Sequence, residues 1–273
     1  MGFPCAIQYN RNVWLQSELW SMDYGSIGSS VCAYHRRNDA YRKCQDERSW
    51  SSFLGHTVGL ADRAGAREWL EASGDDFLLV SGERRMTPMD LGDKEWSEAM
   101  FSQGAALTVR HAGPDVVFDV CTRVFHRTPF IVRSCRILNA SNQGMLLDEV
   151  VIDRMQLSAC APEYDVFPLE NGGCAGYVLD GGRGTVFAAM PEAEITFDSS
   201  ESATVVRCVA RSVKIAAGAY CELPDMGIVF FSGAPADARA AAEAITDQIR
   251  KWRIHEAELR ASARAEEAAQ NGG

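Results

Sequence analysis

The chain of 273 residues has no apolar run approaching the roughly 20 residues that a membrane-crossing helix needs, so no helical span is expected. Its opening residues, MGFPCAIQYNRNVWLQSELW, lack a basic stretch followed by an apolar one, so a secretory leader is not expected there. Nine cysteines are present, yet no two stand in Cys-x-x-Cys spacing. A zinc ribbon or a thioredoxin-like site needs that spacing, and the sequence points to no metal and no cofactor. An odd number of cysteines at wide intervals, several inside apolar runs, reads as reduced thiols buried as small hydrophobes in a cytoplasmic protein. Basic charge is also short. The 27 Lys+Arg against 37 Asp+Glu give a net charge of −10, which disfavours nucleic acid as a partner. Neither phosphate-cradling glycine loop occurs, and Gly25-Ser26-Ile27-Gly28 has the wrong spacing for a nucleophile elbow. His35, His56, His111, His126 and His255 show no metal-ligand spacing. What these absences exclude is chemistry carried by one contiguous motif.

What the sequence does have is an ordinary globular composition, 47% hydrophobic and 23% charged, sufficient for one large or two small domains. Residues 1–56 are mixed and rich in Ser, Arg and aromatics, whereas residues 57–233 hold many short apolar segments separated by Gly, Pro, Asn and Asp. In residues 115–125, Val116, Phe118, Val120, Thr122 and Val124 alternate with Val117, Asp119, Cys121 and Arg123, the period of a half-buried strand. Residues 130–138, 176–179, 185–190, 203–215, 219–224 and 227–231 read as further strands, and residues 145–157 as one strand or a bulged pair. Asn139 to Gly144 and Gly181 to Gly184 supply turns. Asn139-Ala140-Ser141 fits a glycosylation acceptor, which without a leader reads as a chance match. Residues 59–71 mix helix-favouring residues with turn chemistry at Asp62-Arg63-Ala64-Gly65, and a hairpin is expected. Such spacing predicts a mostly β fold, an antiparallel sandwich or barrel.

From residue 234 the composition shifts to Ala, Glu and Arg. Pro235 suits a first helical turn, and Ala241, Ile245, Ile249 and Trp252 recur on one helical face. The expected organisation is a β domain over 1–233, with 1–58 poorly legible, a helix over 234–260 and a polar frayed tail over 261–273.

Candidate site residues are scattered. Trp50 and Trp96 have polar neighbours and offer aromatic faces on which a sugar ring can stack, while Trp20 and Trp69 sit in apolar surroundings and read as core. Asp119 and Arg123 share the polar face of one strand, where they either line a groove or face solvent. His126 follows a strand and is placed as a loop side chain for sugar contact or acid catalysis, or as a simple turn residue. Glu163 and Glu170 flank an expected loop holding Tyr164 and Asp165.

Residues 107–157 are more specific than composition. In LTVRHAGPDVVFDVCTRVFHRTPFIVRSCRILNASNQGMLLDEVVIDRMQL, Pro129, Arg133, Asn139 and the aliphatics of Leu147 through Leu157 fall in the order found in the large β-sandwich of melibiase-type α-galactosidases, which this segment resembles. Upstream, residues 59–69 and 75–91 look like the hairpin and strand earlier in that domain, with Leu19 to Met22 and Val31 to Ala33 as its first strands. Downstream, residues 184–197 and 214–233 look like its closing strands. The resemblance implies a galactose mutarotase-like supersandwich followed by a C-terminal helix that leads towards a catalytic barrel. Such a barrel takes about 250 residues, so this length does not hold both. The implied function is a noncatalytic carbohydrate-enzyme accessory domain, with Trp50, Trp96, Arg123 and His126 as carbohydrate contacts. Its partners would be carbohydrate, a catalytic barrel, or a second copy through the helix. Two alternatives stand beside it. One is an epimerase or mutarotase-like enzyme using His126 or His111 with Glu163 or Glu170, and the other is a structural or oligomerisation module.

Overall fold

A computed structural model of the chain describes residues 5–9, 12–16, 20–25, 57–62, 67–68, 70–71, 77–88, 90–91, 93–101, 104–125, 130–157, 163–180, 183–199 and 204–271. Among the described residues β1 (Cys5–Tyr9), β2 (Asn12–Gln16), β3 (Trp20–Gly25), β4 (Thr57–Asp62) and β5 (Arg67–Glu68) form one antiparallel sheet in that order. Asp62 pairs with Arg67 across β4 and β5, so the ambiguous Ala- and Arg-rich segment is a hairpin, as its turn chemistry predicts. Trp20–Met22 fall in β3, while Val31–Ala33 lie outside the described residues.

Two larger sheets follow. The strands are β6 (Leu70–Glu71), β7 (Leu78–Ser81), β8 (Arg84–Met86), β9 (Asp93–Phe101), β10 (Gly104–Ala112), β11 (Val116–Phe125), β12 (Phe130–Asn139) and β13 (Met145–Leu157). They continue with β14 (Glu163–Pro168), β15 (Cys174–Asp180), β16 (Arg183–Ala189), β17 (Ala193–Ser199), β18 (Thr204–Ile215), β19 (Tyr220–Glu222) and β20 (Met226–Ser232). Among the described residues nine strands run in the order β14-β15-β16-β20-β12-β11-β10-β9 with β19 paired to β12, and six run β17-β18-β13-β7-β8 with β6 paired to β13. The architecture is a large antiparallel β-sandwich.

Alternation explains which face each residue takes. Phe118 and Val120 of β11, Ile131, Cys135 and Ile137 of β12 and Phe187 of β16 point into the sandwich, where they meet Leu147, Val150 and Ile152 of β13 and Val206 and Cys208 of β18. β13 is one strand with a register shift between Val151 and Asp153, and both Ile152 and Asp153 are buried beside that bulge. Asp153 forms an ion pair of 2.6 Å with Arg133 of β12, so a buried charge pair ties the two sheets together.

The opposite face of the larger sheet is covered by α1 (Pro235–Asn271). Ala238, Ala242, Ile245 and Ile249 are all fully buried on Val132, Ala175, Val186, Ala188 and Val229. The helix starts where the sequence predicts it, with Asp237 accepting a 2.7 Å hydrogen bond from the Ala234 N–H as an N-terminal cap. Gly233, at φ 127°, makes the turn that precedes it. Gly227 of β20 permits close packing, because a β-carbon there would stand 2.6 Å from Ile245 Cδ1. The helix outruns the expected 234–260 span: it continues through 261–271, the stretch expected to be frayed, because that stretch is built from the strong helix formers Ala, Glu and Arg. A second correction concerns residues 163–165, expected in a loop. They form β14, an edge strand in which Glu163 to Val166 are exposed and Phe167 is buried, and an edge strand of that kind shows no apolar alternation.

Candidate active-face cavity

On the outer face of the nine-stranded sheet, where α1 passes over β11 and β12, lies a cavity of about 180 Å³. The alternation that sends Phe118 and Val120 inward sends Asp119, Cys121 and Arg123 outward, and all three line it. From β12 come Ser134 and Arg136, from β19 Glu222, and from the helix Arg253 and Glu256.

Asp119 lies at the base of the cavity, 3% exposed. Arg110 donates to it from Nε and Nη2 at 2.8 and 3.1 Å, and Arg136 donates from Nε at 2.7 Å. Burial alone would push this carboxyl up, but the two guanidiniums outweigh it and hold the group below its usual range. The same contact raises Arg110 further. Arg123 is 8% exposed; its Nη1 donates to Ser134 Oγ at 2.8 Å and its Nη2 stands 3.5 Å from Glu256 Oε1. Its guanidinium carbon lies 5.3 Å from the Trp252 ring centre, and Phe101 and Phe125 pack on the same indole at 4.9 and 5.9 Å. Arg253 reaches from the helix to the sheet side, giving a two-pronged pair to the buried Asp225 and a 3.2 Å contact to Glu222. Burial opposes the charge of Arg253, yet these carboxylates more than compensate and raise it.

Of the expected carbohydrate contacts, Arg123 lies in this cavity. Trp96 sits on β9 opposite Val109, with its side chain outside the described residues, and Trp50 and His126 lie wholly outside them. His111 is fully buried between the sheets, its ring 4.9 Å from Phe77, which removes it as an acid in a groove. Glu163 and Glu170 are exposed near the far edge of the sheet; Glu163 accepts a 3.4 Å bond from the Tyr177 hydroxyl. Glu170 borders a second hollow of about 330 Å³ with Glu243, Asp247 and Arg250 of the helix. Among the described residues no group of three or more His, Cys, Asp or Glu is placed to hold a metal ion. The sequence reading missed Arg253, Asp225 and Glu222. Their signal was faint: Arg253 follows Trp252, the last member of the apolar helical stripe, at the point where the helix turns a charged side to the sheet.

No protein-family model matches the chain, and no curated protein matches it. Solved structures do. A TPR-domain containing protein from Parabacteroides distasonis superposes with a TM-score of 0.57 at 9% identity, over 82% of this chain and 47% of its own. The α-N-acetylgalactosaminidase NagBb from Bifidobacterium bifidum gives 0.55 at 10% identity, over 89% and 39%. The GH36 α-galactosidase AgaB from Geobacillus stearothermophilus gives 0.51 at 8%, over 84% and 41%. Over these shares the chain has the same β-sandwich fold as these structures. It spans under half the length of each, 39% to 47%. The likeness read from segments between residues 59 and 233 thus holds at the level of fold. No helix among the described residues is long and apolar enough to cross a membrane.

Proposed function

We propose that the chain is a noncatalytic sandwich of a glycoside-hydrolase-like carbohydrate enzyme, resembling the N-terminal domain of α-galactosidases, and that α1 presents it to a catalytic barrel. The observation that carries this is the state of the cavity carboxylates. An acid or base for sugar chemistry needs a carboxyl tuned towards the working pH and free to exchange its proton. Asp119 is instead driven the other way by Arg110 and Arg136, and Glu222 and Glu256 are each engaged by Arg253. No histidine lines the cavity among the described residues. Such a wall recognises; it does not transfer protons.

The purified chain, incubated with an aryl α-galactoside, is expected to release no aryl alcohol above the buffer rate. Turnover that rises with protein concentration and disappears on heat denaturation would overturn the proposal.

A further inference from the structure

The cavity over Asp119 carries features that select a class of ligand. Its wall sets Arg123, Arg136 and Arg253 against Asp119, Glu222 and Glu256, with Arg110 and Asp225 bonded behind them. Both signs are therefore matched within the site. An anion or a cation entering it sheds its water without meeting net opposite charge, so a charged ligand gains little there. The wall holds guanidinium donors and carboxylate acceptors together with the hydroxyls of Ser134 and Thr108. A ligand hydroxyl both donates and accepts, so neighbouring hydroxyls on one small ring can meet both kinds of group. The volume of about 180 Å³ lies below the roughly 300–1,000 Å³ of drug-sized pockets, which sets the ligand at a single ring.

We propose that this cavity binds one neutral sugar ring, or a cyclic polyol of the same size, held between the sheet and α1. The choice of a sugar rests on the accessory-domain reading above; the neutral polyol chemistry rests on the wall itself. Arg123 and Ser134 hold the ligand from the sheet, and Arg253 and Glu256 from the helix, so occupancy clamps the helix to the sheet. Cys121 lines the cavity and is only partly buried, so a larger side chain there takes the ligand's place.

Calorimetric titration of the full chain with D-galactose, myo-inositol and D-galacturonate tests this, together with hydrogen exchange over residues 249–258. The neutral probes are expected to bind at least tenfold more tightly than the galacturonate anion and to slow amide exchange in that helical segment severalfold. Cys121→Phe should weaken galactose at least tenfold, and Glu222→Gln, at an exposed position that leaves the fold in place, about threefold or more. Galacturonate binding as tightly as galactose, binding unaltered in folded Cys121→Phe, or no binding of either neutral probe would each overturn the proposal. The two proposals fail separately: turnover of an aryl galactoside overturns the noncatalytic reading whatever binds, and absent polyol binding overturns the cavity assignment whatever the turnover.

Discussion

Asn139 is fully buried at the end of β12, where its Nδ2 donates to the carbonyls of Gln143, Ile215 and Ala216 and its Oδ1 accepts from Ser141. Asn139 therefore ties a turn to the end of β18, and a glycan could not reach it in the folded chain. Asn139→Ala is expected to cost about 1–3 kcal/mol in urea unfolding, the penalty of leaving such carbonyls unpaired. Arg133 and Asp153 make a sharper case, at 1% and 2% exposure. Asp153→Leu alone takes the carboxylate from a buried guanidinium and should cost about 3–5 kcal/mol, whereas Arg133→Met with Asp153→Leu should recover most of that loss. The carboxylates of Asp119 and Asp153 respond oppositely to pH. Asp119 is held low by its guanidiniums, so its contribution is present above the unfolded value of about 3.9 and is lost as pH falls through the lower folded one. Asp119→Asn should destabilise by about 1–3 kcal/mol at pH 7, discounted for the half-exposed Arg136, with the gap from wild type closing below about pH 4. Burial pushes Asp153 up to about 6 against the pull of Arg133, so its contribution is fullest below the unfolded value and lost as pH rises through about 6. Relative to the double variant, the wild type should lose stability between pH 4 and 7.

Among the elements, those with strict alternation were legible from sequence and those without were not. β11 could be read residue by residue, down to the shared outward face of Asp119 and Arg123. β9 and β14, at the two edges of the nine-stranded sheet, could not, because an edge strand has less to bury and its polar residues erase the period. The helix was legible wherever it packs. Ile245 and Ile249 are fully buried, and Ile249→Ala is expected to cost about 2–5 kcal/mol and to speed hydrogen exchange over the following turns first. Past Glu256 the period vanishes while helix propensity persists, which is why the end of α1 was underestimated.

For the whole molecule, the site was the least legible part. Part of it, Asp119 and Arg123, shares one strand, but Asp225, Arg253 and Glu256 lie over 100 residues further on, brought in by the return of β20 beneath the helix. Only the packed sandwich makes them neighbours. α1 is made of 37 residues, about 55 Å at 1.5 Å per residue, and Glu256 stands 15 residues before its end, leaving roughly 22 Å beyond the cavity. Its near half is held by apolar contact with the sheet and its middle by the pairs of Arg253 with Asp225 and Glu222, so two chemically different bonds fix one helix to one sheet.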